Sequence, residues 1–200
     1  MKDELYQVKI SLLGSKPIIW RRLVIPSNLL LPDFHKIIQT AMEWTNSHLH
    51  HFVKDRKFYE PSGDDSFMDT GLNAVGYDKV RVNDLLKKEK DKIIYEYDFG
   101  DSWEHEITLE KVLAPDKKNY YPVCIDGKRS APPEDIGGIP GYYQFLEARG
   151  NPENELHEMF DPEFMNEFDP DYFDKDEIND FLKMPDFGCI SFYDESLFFN

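Results

Sequence analysis

Residues 92–113 read KIIYEYDFGDSWEHEITLEKVL, and apolar and polar side chains alternate through most of this stretch. Period-two alternation is typical of half-buried antiparallel strands. Between the two alternating runs, Gly100-Asp101-Ser102 offers a glycine for a positive φ and two short polar side chains, which favours a hairpin loop of four or five residues. On the second run His105 shares a face with Trp103 and Ile107, so we predict that its imidazole points into the core.

The rest of the chain extends this pattern into an α+β fold with a mainly antiparallel sheet built from hairpins. A first hairpin is predicted over residues 5–13 and 18–25, and a strand over 48–53 that turns back into 57–59. The apolar spacing of 32–42 predicts a helix packed on the sheet after the first hairpin. Long loops are expected at 60–77 and 120–143, and short C-terminal helices at 141–148, 153–160 and 174–183. The aromatic residues of 187–199 indicate that the end of the chain returns to the domain.

The length of 200 residues suits a single domain over 1–200, with an acidic helical part from about residue 150. The net charge is −16, and residues 150–200 account for −13 of it, with 15 acidic and two basic side chains. Such a surface repels polyanions, so direct nucleic-acid binding is not expected. The acidic part is interpreted as a solubilising face, or alternatively as a docking surface for a basic protein partner.

Two features of the sequence suggest the cellular compartment of the protein. Cys124 and Cys189 are the only cysteines and stand far apart, which argues against a disulfide framework or a cysteine zinc site. The first residues lack the apolar run of a signal peptide, and no run of eighteen apolar residues suggests a membrane span. We therefore expect a cytoplasmic protein without membrane contact.

Four spaced motifs point to a known family. They are I-W-R-R at 19–22, W-x-x-S-H-L-H-x-F at 44–52, Y-D-F-G-D-S-W-E-H-E-I at 97–107, and P-P-E-D-x-G-G at 132–138 with G-Y at 141–142. This pattern resembles the plasmid pRiA4b ORF-3-like family, whose members are also labelled TnpR-like passenger proteins of mobile elements. The resemblance implies a compact α+β domain encoded on a prokaryotic chromosome or plasmid. Only six arginines and no recognisable helix-turn-helix argue against the resolvase activity that the label suggests.

One departure from the family pattern bears on metal binding. Members often carry extra cysteines around the P-P-E-D motif, where this sequence has Ser130-Ala131 before it and Ile136 within it. A shared cysteine-metal role at that motif is therefore not expected, because Cys124 alone cannot sustain one.

The sharpest candidate site combines three histidines with two carboxylates. On a strand, His48 and His50 would present two imidazoles on one face, and His105 on a neighbouring strand could complete a three-histidine zinc site. Asp98 and Asp101 could orient these ligands through hydrogen bonds. The alternative is structural, with His48 and His50 bonded to loop carbonyls and His105 buried and neutral.

Three further residues complete the candidate set. Trp103 adjoins the hairpin loop, while Glu134 and Asp135 precede Gly137-Gly138, where carboxylates and backbone donors could meet or simply cap a turn.

Two function classes follow from these residues. The first is a non-enzymatic binding or accessory domain associated with plasmid or mobile-element genes, with a protein partner on the acidic C-terminal surface and no cofactor. The alternative is a metal-dependent hydrolase that uses the His/Asp cluster and a divalent metal ion.

Overall fold

The fold is built on one eight-stranded sheet. A computed structural model describes residues 4–62, 74–116, 118–151, 153 and 155–189. The strands are β1 (Leu5–Leu12), β2 (Trp20–Pro26), β3 (His50–Lys54), β4 (Lys57–Glu60), β5 (Ala74–Gly76), β6 (Lys92–Tyr97), β7 (Trp103–Leu113) and β8 (Val123–Lys128). They lie in the order β5-β4-β3-β6-β7-β1-β2-β8, and every neighbouring pair is antiparallel except β4 and β5. The α+β class and the mainly antiparallel sheet are thus confirmed.

The central hairpin of β6 and β7 has the predicted period-two pattern. Tyr97 pairs with Trp103 and Tyr95 with His105, and all four side chains are buried on the face that carries the core. The loop differs from the prediction in its backbone. Positive φ angles occur at Asp98 (56°) and Ser102 (53°) rather than at Gly100, because the reversal closes with a hydrogen bond from Ser102 N to the Asp98 carbonyl.

The helices are α1 (Leu31–Ala41), α2 (Val82–Leu85), α3 (Gly138–Gly150), α4 (Pro162–Glu167) and α5 (Lys175–Leu182). Residues Glu155–Met159 and Pro185–Gly188 form 3₁₀ turns. Helix α1 begins with Pro32 in its first turn and buries Phe34, Ile37 and Ile38 in the hydrophobic core. This helix therefore covers the core face of the sheet.

The acidic C-terminal part contacts both the core and the edge of the sheet. The Asp174 carboxylate caps α5 by accepting hydrogen bonds from the Asp176 and Glu177 amides, and Ile178 on that helix is buried in the core. The Asn179 side chain accepts a hydrogen bond from Cys124 N and donates one to Cys124 O, at 2.7 and 2.8 Å. Strand β8 is the last strand of the sheet, so Asn179 covers part of its outer edge.

Several predicted boundaries need correction. Residues 123–128 form strand β8 inside the segment that was predicted to be a rigid loop, because they pair with β2. Strand β3 starts at His50 and not at His48.

Some predictions fall partly outside the described residues. Of the loop predicted at 60–77, residues 63–73 are not described, and 74–76 form β5. Of the segment predicted to return to the domain, residues 190–199 are not described, while Phe187 O accepts a hydrogen bond from Thr40 Oγ1 on α1. Within the described ranges, none of the helices has the length and hydropathy needed to cross a bilayer.

Candidate functional site

Three loops meet at one end of the central hairpin. They are residues 44–49 after α1, residues 98–102 between β6 and β7, and residues 132–137 before α3. We call this region the three-loop junction. Beside it lies a cleft of ≈ 440 Å³, lined by Asn46, Ser47, His48, Leu49, His50, Pro61, Asp98, Phe99 and Gly100. Two of the four sequence motifs, at 44–52 and 97–107, thus contribute residues to the lining of this cleft.

Glu134 ties two of the three loops to β6. One carboxylate oxygen accepts hydrogen bonds from the Thr45 amide (2.9 Å) and hydroxyl (2.6 Å), and the other accepts one from the Tyr97 hydroxyl (2.6 Å). The Tyr97 oxygen also accepts a hydrogen bond from Ser47 N at 3.0 Å. Burial, followed by the neighbouring Glu134 carboxylate, raises the pKa of Tyr97, which keeps the hydroxyl protonated and donating. Glu134 therefore acts as a structural clamp.

Asp101 joins the hairpin loop to the third loop. Its carboxylate accepts hydrogen bonds from the amides of Ile136 and Gly137, both at 3.1 Å. A Cβ atom at Gly138 would overlap the Asp101 carbonyl oxygen, so only glycine permits this approach. Trp44 Nε1 donates to Pro132 O at 2.9 Å and completes the contacts between the first and third loops. The carboxylate that caps this segment is therefore that of Asp101, whereas the sequence suggested Glu134 or Asp135 for this role.

His48, Asp98 and Asp135 form a separate group, one residue from each loop. His48 Nδ1 lies 3.8 Å from Asp98 Oδ2, and His48 Nε2 lies 3.3 Å from Asp135 Oδ1. One ligand atom from each residue lies within 4.8 Å of the other two, and the described residues contain no other such group of three histidine, cysteine or acidic side chains. The Asp98 side chain is only 12% exposed, whereas that of Asp135 is 75% exposed. One imidazole and two carboxylates thus converge at the rim of the cleft.

His50 belongs to a buried polar network rather than to this group. Its ring stacks on that of His35 with centroids 3.4 Å apart, and its Nε2 lies 2.5 Å from the Tyr77 hydroxyl. His35 in turn contacts the Tyr95 hydroxyl (2.9 Å) and Asn46 Oδ1 (2.7 Å). Burial lowers the pKa of both histidines, to about 4 for His35 and well below the usual value for His50. Both rings are therefore neutral at pH 7.

His105 is fully buried, as the alternation of β7 predicts. It lies between Trp44 and Tyr95, with ring centroids 5.2 and 5.7 Å away, and burial lowers its pKa to about 4. Neither of its ring nitrogens, nor Trp103 Nε1, has a hydrogen-bond partner among the described atoms. Trp103 is likewise fully buried, so it lies in the core and not in the cleft.

The three histidines that the sequence suggested as zinc ligands are not brought together. Because β3 begins at His50, His48 lies in the preceding loop and turns toward Asp98 and Asp135. His105 is separated from β3 by the intervening strand β6. The structure therefore places the eight candidate residues in three settings, which are the loop clamp (Asp101, Glu134), the interior (His50, Trp103, His105) and the rim of the cleft (His48, Asp98, Asp135).

Sequence reasoning missed the other members of the buried polar network of His50, which are His35, Gln39, Asn46, Tyr77 and Tyr95. Gln39 Nε2 donates to the Tyr95 hydroxyl at 2.8 Å, and Asn46 N donates to Gln39 Oε1 at 3.1 Å. A signal for two of them was present, since His35 and Gln39 lie four and eight residues after Leu31 and thus on the apolar stripe of α1. Polar residues on such a stripe indicate a buried network, because buried polar groups need partners.

A family model described as plasmid pRiA4b ORF-3-like protein matches residues 4–177. The chain belongs to this family. The resemblance inferred from the four motifs is thereby confirmed, and all four motifs fall inside the matched range.

Two relatives carry the pRiA4b ORF-3-like comparison further. An uncharacterized protein, y4hQ, of Sinorhizobium fredii (strain NBRC 101917 / NGR234) is 36% identical over 162 residues, which cover 78% of this chain and 79% of the relative. The crystal structure of MM3350 from Methanosarcina mazei Go1, described as a protein of unknown function, superimposes with a TM-score of 0.77 at 34% identity. That match covers 88% of this chain and 98% of the other, so the two proteins share nearly the whole fold.

Proposed function

We propose that this protein is a non-enzymatic binding domain that takes its ligand in the cleft beside the three-loop junction. The observation that carries the proposal is that some motif residues hold the three loops together, whereas others line the cleft. The polar side-chain groups of Glu134, Asp101 and Trp44 form hydrogen bonds that hold the loops together. His48 and Asp98 line the cleft and make only loose contacts with each other. Polar groups at the mouth of a cleft that are not engaged in structural hydrogen bonds commonly orient a bound ligand.

The rigidity of the junction supports a binding role. A loop that is already ordered loses little conformational entropy when a ligand binds, which increases affinity. Here each loop is fixed by hydrogen bonds from another element, and Asp98 N also donates to Leu49 O at 2.8 Å. The cleft would therefore be preformed before any ligand arrives.

We further propose that the acidic C-terminal part belongs to the same domain and offers a second surface, for a basic protein partner. Met165, Ile178 and Leu182 contribute to the hydrophobic core, which supports a single domain. In the described residues of this part, salt bridges with Lys or Arg involve only Asp171, Asp176, Asp180 and Asp186. Its remaining acidic groups leave a negative field that would attract a cationic segment.

The metal-dependent hydrolase is the second candidate, and the group of His48, Asp98 and Asp135 is the observation that favours it. A hydrolase would convert its ligand, whereas a binding domain would release it unchanged. This difference makes the two candidates separable in one experiment.

A thermal-shift screen with a blocked cleft tests the binding function. Leu49 lines the cleft and is 51% exposed, so Leu49→Trp should fill the cleft without disturbing the core. Ile18→Trp places the same bulk at a position that is 40% exposed and outside the cleft lining, and it is the matched control. We expect small molecules from a metabolite library to raise the melting temperature of the wild type and of Ile18→Trp but not of Leu49→Trp, and to be recovered unchanged.

Two results would contradict this function. If every stabilising compound also stabilises Leu49→Trp, or if none stabilises the wild type, the cleft is not the binding site. Conversion of a compound by the wild type and not by Leu49→Trp would replace the binding domain with the hydrolase.

A further inference from the structure

The geometry of the cleft rim points to a specific ligand. We propose that His48, Asp98 and Asp135 bind one divalent first-row metal ion, such as Zn²⁺ or Mn²⁺. This inference rests on the proposed role of the cleft as a binding site and names the first ligand that would occupy it. Its metal ligands differ from the three histidines suggested by the sequence, because only His48 is common to both sets.

The distances suit a small cation. Ligand atoms of a tetrahedral zinc ion lie about 2.0 to 2.2 Å from the metal, which places any two of them about 3.4 Å apart. Asp135 Oδ1 lies 3.3 Å from His48 Nε2, close to that separation, whereas Asp98 Oδ2 lies 3.8 Å from the other ring nitrogen, Nδ1. One ligand atom from each residue lies within 4.8 Å of the other two, and rotation of the side chains would bring one ring nitrogen and both carboxylates to a single ion.

The setting of His48 Nε2 is a second indication. This nitrogen is shielded from solvent, although the His48 side chain as a whole is 25% exposed, and it makes no well-directed hydrogen bond within the described part of the chain. The exposed carboxylate of Asp135 lies 3.3 Å from it. A buried polar atom without a good hydrogen-bond partner destabilises the folded chain. A metal ion at this nitrogen would remove that cost, because imidazole nitrogen is a good ligand for these ions.

The carboxylate of the second ligand, Asp98, is shielded from solvent but has few hydrogen-bond donors, and no Lys or Arg side chain of the described residues lies near it. Its side chain is 12% exposed, and its carboxylate accepts one hydrogen bond, from Gly100 N at 3.0 Å. A shielded carboxylate is normally paired with a cation or with several donors. The described residues place no Lys or Arg within 4.0 Å of Asp98, so a bound cation would supply the missing positive charge.

The donor set also narrows the kind of ion. One imidazole with two carboxylates suits Zn²⁺, Mn²⁺ or Fe²⁺ better than Ca²⁺, which takes six to eight oxygen ligands. Three protein ligands would leave at least one coordination position open, and two of the three, His48 and Asp98, line the cleft. A cleft ligand with an oxygen or nitrogen donor could then complete the coordination.

Metal titration of the full chain tests the proposal. After removal of metal with a chelator, isothermal titration with ZnCl₂ and with MnCl₂ would be compared for the wild type, His48→Ala, Asp135→Asn and Glu96→Gln. Glu96 is the matched control, because its carboxylate lies 2.9 Å from His51 Nε2 in a histidine–carboxylate pair outside the group. Asp135 is 75% exposed, so Asp135→Asn should leave the fold intact, which circular dichroism would verify.

We expect one equivalent of Zn²⁺ or Mn²⁺ to bind to the wild type and to Glu96→Gln. His48→Ala and Asp135→Asn should weaken binding by more than about tenfold, the loss that follows even when an outer hydrogen-bond partner of a metal ligand is removed. Absence of saturable binding by the wild type would overturn the proposal. So would binding that persists unchanged in both variants, since the ion would then occupy other acidic groups.

The outcome is separable from that of the Leu49→Trp screen, which would be run with and without chelator. Compounds that bind the cleft of a protein unable to hold metal would leave the binding function standing and remove the metal site. Saturable metal binding without any cleft-dependent compound would do the reverse.

Discussion

Lowering the pH from 7 to 5 should destabilise this protein because three neutral histidines, His35, His50 and His105, are buried in it. Burial lowers the pKa of His35 and of His105 from 6.5 to about 4. Between these values the unfolded chain binds a proton at each imidazole that the folded chain does not, so the free energy of unfolding falls as the pH falls. The stabilisation is complete above pH 6.5 and is lost progressively toward pH 4.

The magnitude follows from the two pKa values. Proton uptake on unfolding removes about 2 kcal/mol per histidine between pH 7 and pH 5, and therefore about 4 kcal/mol for His35 and His105 together. His50 adds to this loss, because burial lowers its pKa well below the usual value. Domains of this size are stable by about 5 to 15 kcal/mol, so the loss would be a large fraction of the total. The net charge of −16 acts in the opposite direction, because acidification weakens the repulsion among carboxylates.

Urea denaturation followed by tryptophan fluorescence at constant ionic strength would measure the free energy of unfolding at pH 7 and pH 5. The variant His105→Leu removes one of the three groups together with its unpartnered ring nitrogens. Its loss of stability over the same interval should be smaller than the wild-type loss by about 2 kcal/mol. A wild type that is equally stable or more stable at pH 5 would refute the reasoning, as would a variant with the full wild-type loss.

Two other predictions concern the junction and the acidic part. Gly138→Ala should destabilise the chain by about 1 to 3 kcal/mol, because its Cβ would overlap Asp101 O and its φ is 66°. Gly150→Ala is the control, because a Cβ there meets no atom within 4 Å. Thermal melts of the two variants should show a loss of stability only for Gly138→Ala. A synthetic Lys/Arg-rich peptide should bind the protein with an affinity that falls as the salt concentration rises. The double variant Glu163→Lys/Glu167→Lys on α4 should weaken this binding. The control double variant Glu104→Lys/Glu106→Lys on β7 should not. Fluorescence anisotropy of the labelled peptide would show this, and equal binding to both double variants would argue against the acidic docking surface.

The local part of the fold was predictable from sequence. The alternation of residues 92–113 predicts both strands of the central hairpin and the burial of His105, because a strand places every second side chain on the same face. Strand β8 was not predictable in the same way. Its residues lie in a segment rich in proline and glycine, and they form a strand only by pairing with β2, about a hundred positions earlier in the chain.

The candidate site shows the same limit. The residue types at the cleft rim could be chosen from sequence, since His48, Asp98 and Asp135 were all among the candidates. Their grouping depends on where β3 begins and on how three loops, separated by many residues, meet at one end of a hairpin. Strand β3 begins two residues later than the sequence predicted, so His48 lies in the loop before the strand. The group that forms therefore contains one histidine and two carboxylates instead of three histidines.

The amide of Asn179 bears on how this sheet ends. An outer strand normally exposes backbone donors and acceptors that can recruit a strand from another molecule. Here a single side chain imitates the missing neighbour at Cys124 by offering both an acceptor and a donor. The acidic segment thus occupies one pair of hydrogen-bonding positions on the outer edge of β8, and a chain lacking α5 would leave them open to a strand from a second molecule.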